Sequence, residues 1–394
     1  MSNPSPMRVL VLEGSARVRG QKHGEALRSL IVEHVATMKR EIQEATGMDP
    51  DRYLHEFMKD TEVLPAIERW APDLSEEVKG IGEGANLDFE TALALQMPDE
   101  EWLYRREKGF IHHSREAGHC SSLAIFGEGG GPTLVAQNVD LPTSGDGFQV
   151  LLRVIEPESG AESLIFTLAG LIAMNGLSNR PLAVCMNALL QLDHGRRELP
   201  VAFVIRGALA QRSLADAVQL IRSVRRASGQ NYLIGGTHAV VDLECSAGHV
   251  REYVPTTGAT RLVHTNHPLV NDDLGMYREL LDRLPPAQRE YAAQQQVNYE
   301  TRFDSLSRQL EASPGAVTVE RVKSMLSSHE SPEHPVCRHK GSEPNLMTVG
   351  CTIMVLSAAP ELHFAPGPPC STEWAVYRFP AAHEDMVSER EAPG

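Results

Sequence analysis

The sequence predicts an α+β fold, a four-layer αββα sandwich in which two antiparallel β-sheets lie between two layers of helices. Helical periodicity dominates the first 119 residues, and short strand-like runs begin at Cys120. A strand meander, a helix pair, further strands, helical runs and closing strands then follow in order. Glycine, proline and asparagine separate the short strands, which indicates hairpins in series and antiparallel sheets. Two such sheets, each covered by helices on its outer face, satisfy this order.

The N-terminal part is predicted to be mostly helical, because its apolar residues recur at i, i+3 and i+4. The predicted elements are a strand at 9–12 and helices at 27–42, from 72 and over 90–104, with a polar, glycine-punctuated entry at 17–24. Residues 105–119 are charged and poor in apolar side chains. This composition is typical of an exposed linker, in which a processing site could be reached.

The remaining residues, 120–394, are predicted to hold the sheets. The predicted strands are 123–126, 133–139, 148–155, 163–168, 171–174, 182–186, 232–234, 239–244, 250–254, the run from 262, 347–356, 361–365 and 375–379. Helices are predicted at 200–211, 214–226, 276–310 and 317–327. Ser213 is a favourable N-cap, and Pro285-Pro286 interrupts the long helical run. Residues 384–394 are expected to be a frayed tail.

The charge and cysteine content of the chain indicate which partners and which compartment to expect. The chain carries 37 basic and 52 acidic residues, a net charge of −15, so nucleic acid and anionic membranes are not expected as partners. Its six cysteines form no small-domain framework, which is typical of a reducing compartment. The N-terminus lacks a signal-peptide pattern, and the apolar run at 9–12 is too short to span a bilayer. We therefore expect a cytoplasmic protein; a homo-oligomer is left open.

Cys120 is the leading candidate for a catalytic residue. It opens a strand that a glycine-rich turn at 128–132 connects to a second strand, which ends at Asn138-Val139-Asp140. A hairpin of this length predicts that Asp140 lies near Cys120. A lone cysteine is more often a small buried residue, and an aspartate after an asparagine is often a turn residue.

The chemistry that these residues would support begins with self-cleavage. The Cys120 thiol would attack the carbonyl of His119, and hydrolysis would free the α-amine of Cys120. An α-amine has a pKa of about 7.7–8.0 and can therefore accept the thiol proton near neutral pH. Asp140 would hold this amine in place. No histidine is then required as the base.

Acyl transfer also needs hydrogen-bond donors for the oxyanion. Asn187 ends a predicted strand, and Asn266 lies at a strand exit within the run His264–Pro268. Either could supply such a donor. Either could equally be a turn residue that bonds to its local backbone.

Short motifs spread along nearly the whole chain resemble those of the peptidase C45 group, the acyl-CoA:6-aminopenicillanic acid acyltransferase (isopenicillin N acyltransferase) family. The chain is more distantly similar to choloylglycine hydrolases and penicillin V acylases. The matching motifs are Gly20-Gln21-Lys22-His23-Gly24, Cys120-Ser121-Ser122, Gln137-Asn138-Val139-Asp140, Met186-Asn187, His264-Thr265-Asn266-His267-Pro268 and Phe364-Ala365-Pro366-Gly367-Pro368-Pro369.

The resemblance implies an N-terminal-nucleophile hydrolase that cuts itself into residues 1–119 and 120–394, which stay associated as one αββα domain. By it, Cys120 is the nucleophile, Asp140 holds the freed amine, and Asn187 and Asn266 form the oxyanion hole. An arginine near the nucleophile corresponds to Arg302, with Arg308 as a competitor.

Two positions depart from the related families. His119 precedes the nucleophile where the acyltransferase has glycine. Gln137 stands where the bile-salt and penicillin V enzymes carry an arginine, which favours the C45 branch.

We therefore expect a cysteine amidohydrolase that cleaves a non-peptide or small-peptide N-acyl amide through an acyl-thioester on Cys120. Transfer of the acyl group from acyl-CoA to an amine is the alternative at the same site. A Cys–His hydrolase without self-cleavage, with His238 or His264 as base, and a binding protein that has lost the chemistry also remain open.

A metal site is a weaker alternative, because none of the candidate ligands has zinc-ribbon or HExxH spacing. Those candidates are His112, His113, His119, Cys120, His264, His267, Cys337 and His339. We expect no cofactor and no metal.

Overall fold

The computed structural model describes residues 7–110, 119–127, 130–341, 346–379 and 389–390. Within this part of the chain, two β-sheets pack face to face, and helices cover both outer faces. The predicted αββα sandwich is confirmed.

Twelve helices are present among the described residues. They are α1 (Ala16–Ala26), α2 (Arg28–Thr46), α3 (Pro50–Thr61), α4 (Leu64–Trp70), α5 (Pro72–Ala85), α6 (Phe89–Ala94), α7 (Pro98–Glu107), α8 (Val201–Leu209), α9 (Leu214–Ser223), α10 (Gly275–Arg283), α11 (Pro286–Glu311) and α12 (Val319–Leu326). None of them is long and apolar enough to cross a membrane.

The described strands form two sheets. They are β1 (Arg8–Glu13), β2 (His119–Ile125), β3 (Thr133–Pro142), β4 (Gln149–Glu156), β5 (Ala161–Leu168), β6 (Asn175–Ser178), β7 (Leu182–Ala188), β8 (Gln230–Gly236), β9 (Ala239–Cys245), β10 (Val250–Glu252), β11 (Arg261–His264), β12 (Leu346–Leu356), β13 (Glu361–Ala365), β14 (Ala375–Arg378) and β15 (Glu389–Arg390).

Sheet I has the order β1-β4-β5-β6-β7-β8-β9-β10, and sheet II has the order β11-β2-β3-β12-β13-β14-β15. Every pair of neighbours is antiparallel except β1 and β4, which are parallel. The prediction of two antiparallel sheets is therefore corrected at this edge. The parallel pair arises because β1 and β4 are far apart in sequence, so no hairpin constrains their relative direction.

Three apolar layers hold the sandwich together. Helices α2–α9 share an apolar layer with the outer face of sheet I. The inner faces of the two sheets share a second layer, which includes Cys120 and Val139. The outer face of sheet II packs on α11 and α12, through residues such as Leu123 and Leu306. Each layer removes apolar surface from water, the main favourable term in folding.

Several predicted boundaries are confirmed because local chemistry sets them. The Ser213 hydroxyl accepts a hydrogen bond from the N–H of Asp216 and caps α9. Helices α10 and α11 separate at Leu284, where Pro285 and Pro286 begin the second helix. A proline interrupts a helix because it has no N–H to donate and its ring clashes with the preceding turn.

Other expectations were wrong. Residues 17–24 lie inside α1, and 90–104 is divided between α6 and α7, because Pro98 begins a new helix. Residues 171–174 precede β6 and are not part of a named strand; there the N–H of Ile172 donates to Gln96 Oε1 at 2.8 Å.

Parts of the predicted linker and of the predicted tail have regular secondary structure. Helix α7 extends through Glu107 into the predicted linker, of which residues 111–118 lie outside the described residues. Within the tail predicted to be frayed, Glu389–Arg390 pairs with β14 as strand β15.

Helices α1 and α5 pack unusually closely, and glycines make this contact possible. A Cβ atom at Gly24 would lie 2.7 Å from the N atom of Ala85, and one at Gly84 would lie 2.5 Å from the carbonyl oxygen of Gln21. A Cβ at Gly80 would overlap the carbonyl oxygen of Arg17. The glycine-rich segment that the sequence indicated as a polar entry is therefore a helix whose backbone touches a second backbone.

We expect Gly80→Ala to lower the free energy of unfolding by about 2–3 kcal/mol, since the methyl group has no room without separation of the two helices. Urea unfolding measures this change. Gly82→Ala in the same helix is the control, because its Cβ would lie 3.2 Å from the Leu87 carbonyl oxygen and 3.3 Å from Ala92 Cβ. Equal stability of Gly80→Ala and Gly82→Ala would contradict this account.

Candidate active site

The hairpin of β2 and β3 sets the position of Cys120. In its register, Cys120 lies opposite Val139 and His119 lies opposite Asp140. The prediction that this hairpin brings Asp140 close to Cys120 is confirmed. Successive residues of a strand point to opposite faces. The Cys120 thiol therefore faces the space between the sheets, and the side chains of His119 and Asp140 face the helices on sheet II.

The main chain of Cys120 is held on both sides by buried side chains. Its N–H donates to Asn266 Oδ1 at 2.8 Å, and its carbonyl oxygen accepts from Arg302 Nη1 at 2.7 Å. Arg302 also donates to Asn266 Oδ1 at 2.9 Å and to Ser121 Oγ at 2.8 Å. Both Cys120 and Arg302 are buried. The backbone on both sides of Cys120 is therefore fixed by charge-assisted and amide hydrogen bonds.

Helix α11 places Arg302, and not Arg308, beside Cys120. Burial and the neighbouring charge of Arg338 lower the pKa of Arg302 to about 10, so it remains cationic at neutral pH. Arg308 lies on the surface, 3.7 Å from Glu330. The structure therefore places Arg302, the arginine that the resemblance suggested, beside Cys120.

Asp140 is fully buried and is bound from two sides. Thr348 Oγ1 donates to Asp140 Oδ1 at 2.6 Å, and Arg338 Nε lies 3.1 Å from Asp140 Oδ2. Arg338 Nη2 also donates to Asn298 Oδ1 at 2.8 Å, and the same oxygen accepts from Arg302 Nε at 2.9 Å. Asn298 thus links the two arginines of the site.

Sequence analysis missed Arg338, Asn298 and Thr348. Arg338 lies in an irregular segment between α12 and β12, where no periodicity marks it as buried. Its one signal was its place between Cys337 and His339, which were considered only as metal ligands. Asn298 and Thr348 look like an ordinary helix residue and an ordinary strand residue until tertiary structure brings them together.

Asn187 and Asn266 both contact the β2 region. Asn187 Oδ1 accepts from Ser122 Oγ at 2.6 Å, and its Nδ2 donates to the His264 carbonyl oxygen at 3.4 Å. Asn266 Nδ2 donates to the Ala188 carbonyl oxygen at 3.1 Å. Both amides are at the site, but in this structure they donate to main-chain oxygens. Their role as oxyanion donors stays a prediction.

Gln137, the residue that departs from the more distant families, lies between the sheets. It donates through Nε2 to the carbonyl oxygen of Met186, and its Oε1 accepts from Asn175 Nδ2 at 2.8 Å. Its side chain therefore joins β3 to sheet I.

Cys120 borders a cavity of about 220 Å³ between sheet I, α2 and α6–α8. Most of its lining side chains are apolar, among them Leu95, Trp102, Val139, Leu141, Leu168, Leu171, Met174, Met186, Val201 and Ile205. Of the three tryptophans in the chain, Trp102 lines this cavity. Trp70 is partly exposed, and Trp374 packs with Lys323 on the outer side of sheet II.

The Cys120 thiol is protonated at neutral pH. Burial and the charge of Asp140 raise its pKa far above the ordinary value. A nucleophilic thiolate at this position therefore requires a nearby base.

The histidines considered as bases are bound elsewhere. His264 lies with Nε2 2.9 Å from Glu244 Oε1 and Nδ1 2.8 Å from the Thr265 carbonyl oxygen. His238 is exposed in the turn between β8 and β9. His119 faces away from the thiol, and its ring meets that of Tyr299 edge to face at 5.2 Å.

The structure does not support a metal site at Cys120. His119 and Cys120 project from opposite faces of β2, and His112 and His113 lie outside the described residues. His267 Nδ1 lies 3.1 Å from Thr265 Oγ1.

Comparison with known proteins identifies the family. The family model of acyl-coenzyme A:6-aminopenicillanic acid acyl-transferase matches residues 129–361, more than half of the chain. This range includes Asp140, Asn187, Asn266, Arg302 and Arg338 and begins after Cys120. No curated protein matches the chain.

Two solved structures are similar at low identity. A variant of conjugated bile acid hydrolase from Clostridium perfringens aligns at 12% identity with a TM-score of 0.43, over 66% of this chain and 97% of that chain. Penicillin V acylase from Agrobacterium tumefaciens aligns at 14% identity with a TM-score of 0.41, over 66% and 90%.

The predicted family is therefore confirmed by the family model, and so is the coarse prediction of an enzyme that hydrolyses or transfers acyl groups. This chain belongs to the acyl-coenzyme A:6-aminopenicillanic acid acyl-transferase family.

Proposed function

We propose that the chain cuts itself between His119 and Cys120, and that Cys120 then acts as the nucleophile of an amidohydrolase. The substrate is an N-acyl amide, and the acyl group passes through a thioester on Cys120. One observation carries this proposal: the main chain of Cys120 is fixed by Asn266 and Arg302 while its side chain borders a largely apolar cavity.

Self-cleavage requires that the Cys120 thiol reach the carbonyl carbon of the residue before it. The sulfur attacks this carbon, the C–N bond to Cys120 breaks, and the His119 acyl group moves to sulfur. Water then hydrolyses the thioester, which leaves a carboxylate on His119 and a free thiol and α-amine on Cys120. Arg302 bonds to the Cys120 carbonyl oxygen and so favours one orientation of the backbone during this step.

Turnover uses the freed amine as the base. The neutral amine accepts the thiol proton, and the thiolate attacks the amide carbon of the substrate. The amine then returns the proton to the leaving nitrogen, and water hydrolyses the acyl-thioester. This role for the amine agrees with a thiol whose pKa burial raises and with a His264 ring already bound to Glu244.

Asp140 would hold the amine after cleavage. In the uncut chain the Cys120 N–H is bonded to Asn266, and Asp140 is the cross-strand neighbour of His119. Release of His119 would open the space next to the carboxylate. An ammonium group has three hydrogens, so it could keep its bond to Asn266 and donate to Asp140 as well.

The cavity favours an apolar acyl group. Most of its lining side chains are apolar, and they come from α2, α6–α8, sheet I and strand β3 of sheet II. Burial of apolar substrate surface contributes roughly 25 cal/mol per Å². Asn187 and Asn266 would supply oxyanion donors once their present main-chain bonds rearrange.

Contacts between the two parts support their association after a cut. Strand β1 pairs with β4 inside sheet I. Glu77 of the N-terminal part binds Arg206 of the C-terminal part at 2.7 Å, in a buried ion pair that Arg19 joins at 3.0 Å. Removal of one partner from a buried pair destabilises strongly.

Acyl transfer is the second candidate function, and membership of an acyl-transferase family favours it. The acyl-thioester would be the same. In hydrolysis, water takes the acyl group from Cys120. In acyl transfer, the acyl donor is an acyl-CoA, coenzyme A is its leaving thiol, and an amine takes the acyl group from Cys120.

We expect Cys120→Ala to abolish both self-cleavage and turnover, because the sulfur forms both acyl intermediates. Intact mass under denaturing conditions should show residues 1–119 and 120–394 as separate species for the unmodified protein and one 43.3 kDa chain for the variant. Cys245→Ala, which removes another buried thiol, is the control. A Cys120→Ala variant that still cuts itself would overturn the assignment.

We expect Asp140→Asn to lower turnover and also to lower the free energy of unfolding by about 3–5 kcal/mol, because Arg338 is left without a buried counter-charge. The double variant Asp140→Asn/Arg338→Met should regain much of this stability without regaining turnover. Urea unfolding and amide hydrolysis measure the two effects. Turnover restored in the double variant would show that Asp140 serves only to neutralise Arg338.

We expect kcat/KM to rise with pH as the α-amine of Cys120 loses its proton, with a midpoint at about pH 8, because only the neutral amine can accept the thiol proton. Below this pKa the ammonium predominates and the rate falls tenfold per pH unit. The profile should be unchanged in His238→Ala. A midpoint near about pH 6.5 that moves or disappears in a histidine variant would favour the Cys–His alternative.

A further inference from the structure

We propose that His329, Cys337, His339 and Cys370 bind one zinc ion on the outer side of sheet II. This site is separate from the cavity at Cys120, and the proposal does not rest on the proposed function. It revises the expectation of no metal. Sequence analysis named Cys337 and His339 among the candidate ligands, but it did not include His329 or Cys370, which tertiary structure brings to them.

The four side chains offer one ligand atom each, and all four atoms lie within 4.8 Å of one another. Cys370 Sγ lies 3.6 Å from Cys337 Sγ, 3.1 Å from His339 Nε2 and 4.0 Å from His329 Nε2. Cys337 Sγ lies 3.9 Å from His339 Nε2.

These separations fit a tetrahedral metal ion. With Zn–S bonds of about 2.3 Å and Zn–N bonds of about 2.0 Å, the ligand atoms of a tetrahedron are about 3.3–3.8 Å apart. The measured distances scatter around this range, so adjustments of a few tenths of an ångström to about 1 Å would complete the site.

The donor set selects zinc. Two thiolates and two imidazoles in tetrahedral geometry are typical of structural zinc sites, whereas magnesium and calcium prefer oxygen ligands. Two thiolates also balance the charge of Zn²⁺ when both imidazoles are neutral. The scattered spacing in sequence hid this set, because His329, Cys337 and His339 come from one segment and Cys370 from a turn beyond β13.

The backbone holds the inner ligands in place without the metal. The N–H of Cys337 donates to the Ser328 carbonyl oxygen at 3.1 Å. Near Cys370, the N–H groups of Ser371 and Thr372 donate to the Pro368 carbonyl oxygen at 3.1 and 3.0 Å. Cys337 is buried, and Cys370 is exposed at the rim, where an ion can enter.

A zinc ion here would stabilise the segment that carries Arg338. Arg338 lies between two of the ligands, and its N–H donates to Thr348 Oγ1 at 3.0 Å. The same Thr348 hydroxyl donates to Asp140, which Arg338 neutralises. The zinc ion would therefore be structural. Its loss would increase the mobility of Arg338, which positions Asp140 in the candidate active site.

The test is zinc titration of the full chain, purified under a non-thiol reductant, followed by metal analysis after gel filtration. The unmodified protein should retain one zinc per chain, and the double variant His329→Ala/Cys370→Ser should lose at least about nine-tenths of it. Both substituted residues are exposed, so the fold should survive; circular dichroism checks this. His238→Ala/Cys245→Ala is the control and should retain zinc.

X-ray absorption of the zinc-loaded protein should show two sulfur ligands at about 2.3 Å and two nitrogen ligands at about 2.0 Å. Zinc should also slow amide hydrogen exchange of residues 336–340 in the unmodified protein but not in the double variant. The proposal is overturned if the unmodified chain retains no zinc, if the double variant retains it fully, or if the absorption shows no sulfur ligand. A Cys337–Cys370 disulfide in the zinc-treated protein would overturn it as well.

Discussion

The buried ion pair of Asp140 and Arg338 is the interaction on which the geometry around Cys120 depends. Two unlike charges in a protein interior lose several kcal/mol each of hydration, and their attraction offsets this loss only when their other polar atoms are also bonded. Thr348 and Asn298 provide those bonds. Because Asn298 also binds Arg302, the charged layer continues to the carbonyl oxygen of Cys120. Displacement of one member would leave a buried charge without a partner.

Sheet II separates this charged layer from the cavity. Asp140 and Arg338 lie on the side of α11 and α12, and the Cys120 thiol lies on the side of sheet I. Strand alternation is the physical reason, since adjacent residues of β2 and β3 point to opposite faces. The arrangement lets a polar network fix the backbone of Cys120 without placing the charged side chains of that network in the cavity beside the thiol. The main chain of Cys120 connects the two sides, and so does the Asn266 side chain, which accepts from Arg302 and donates to the Ala188 carbonyl oxygen of sheet I.

Local chemistry predicted some elements of the fold well. The cap at Ser213, the break at Pro285 and the hairpin of β2 and β3 each depend on a few consecutive residues. Helix α1 was not predicted, because Gly20 and Gly24 weaken a helix in isolation, by about 1 kcal/mol each relative to alanine. They are retained here because two backbones meet at these positions. Intrinsic preference and tertiary packing act in opposite directions there, and packing prevails.

The sequence by itself determined the broad alternation of helical and strand-rich segments, the family, and the nearness of Asp140 to Cys120, because each follows from short-range pattern or from motifs along the chain. Only the tertiary structure decided that Arg338 neutralises Asp140 and that Cys370 meets Cys337. Arg338, Cys337 and Cys370 come from segments with no regular period, and each lies far in sequence from the residue that it contacts. Their contacts depend on how the closing strands bring separate segments together, and no local pattern specifies this.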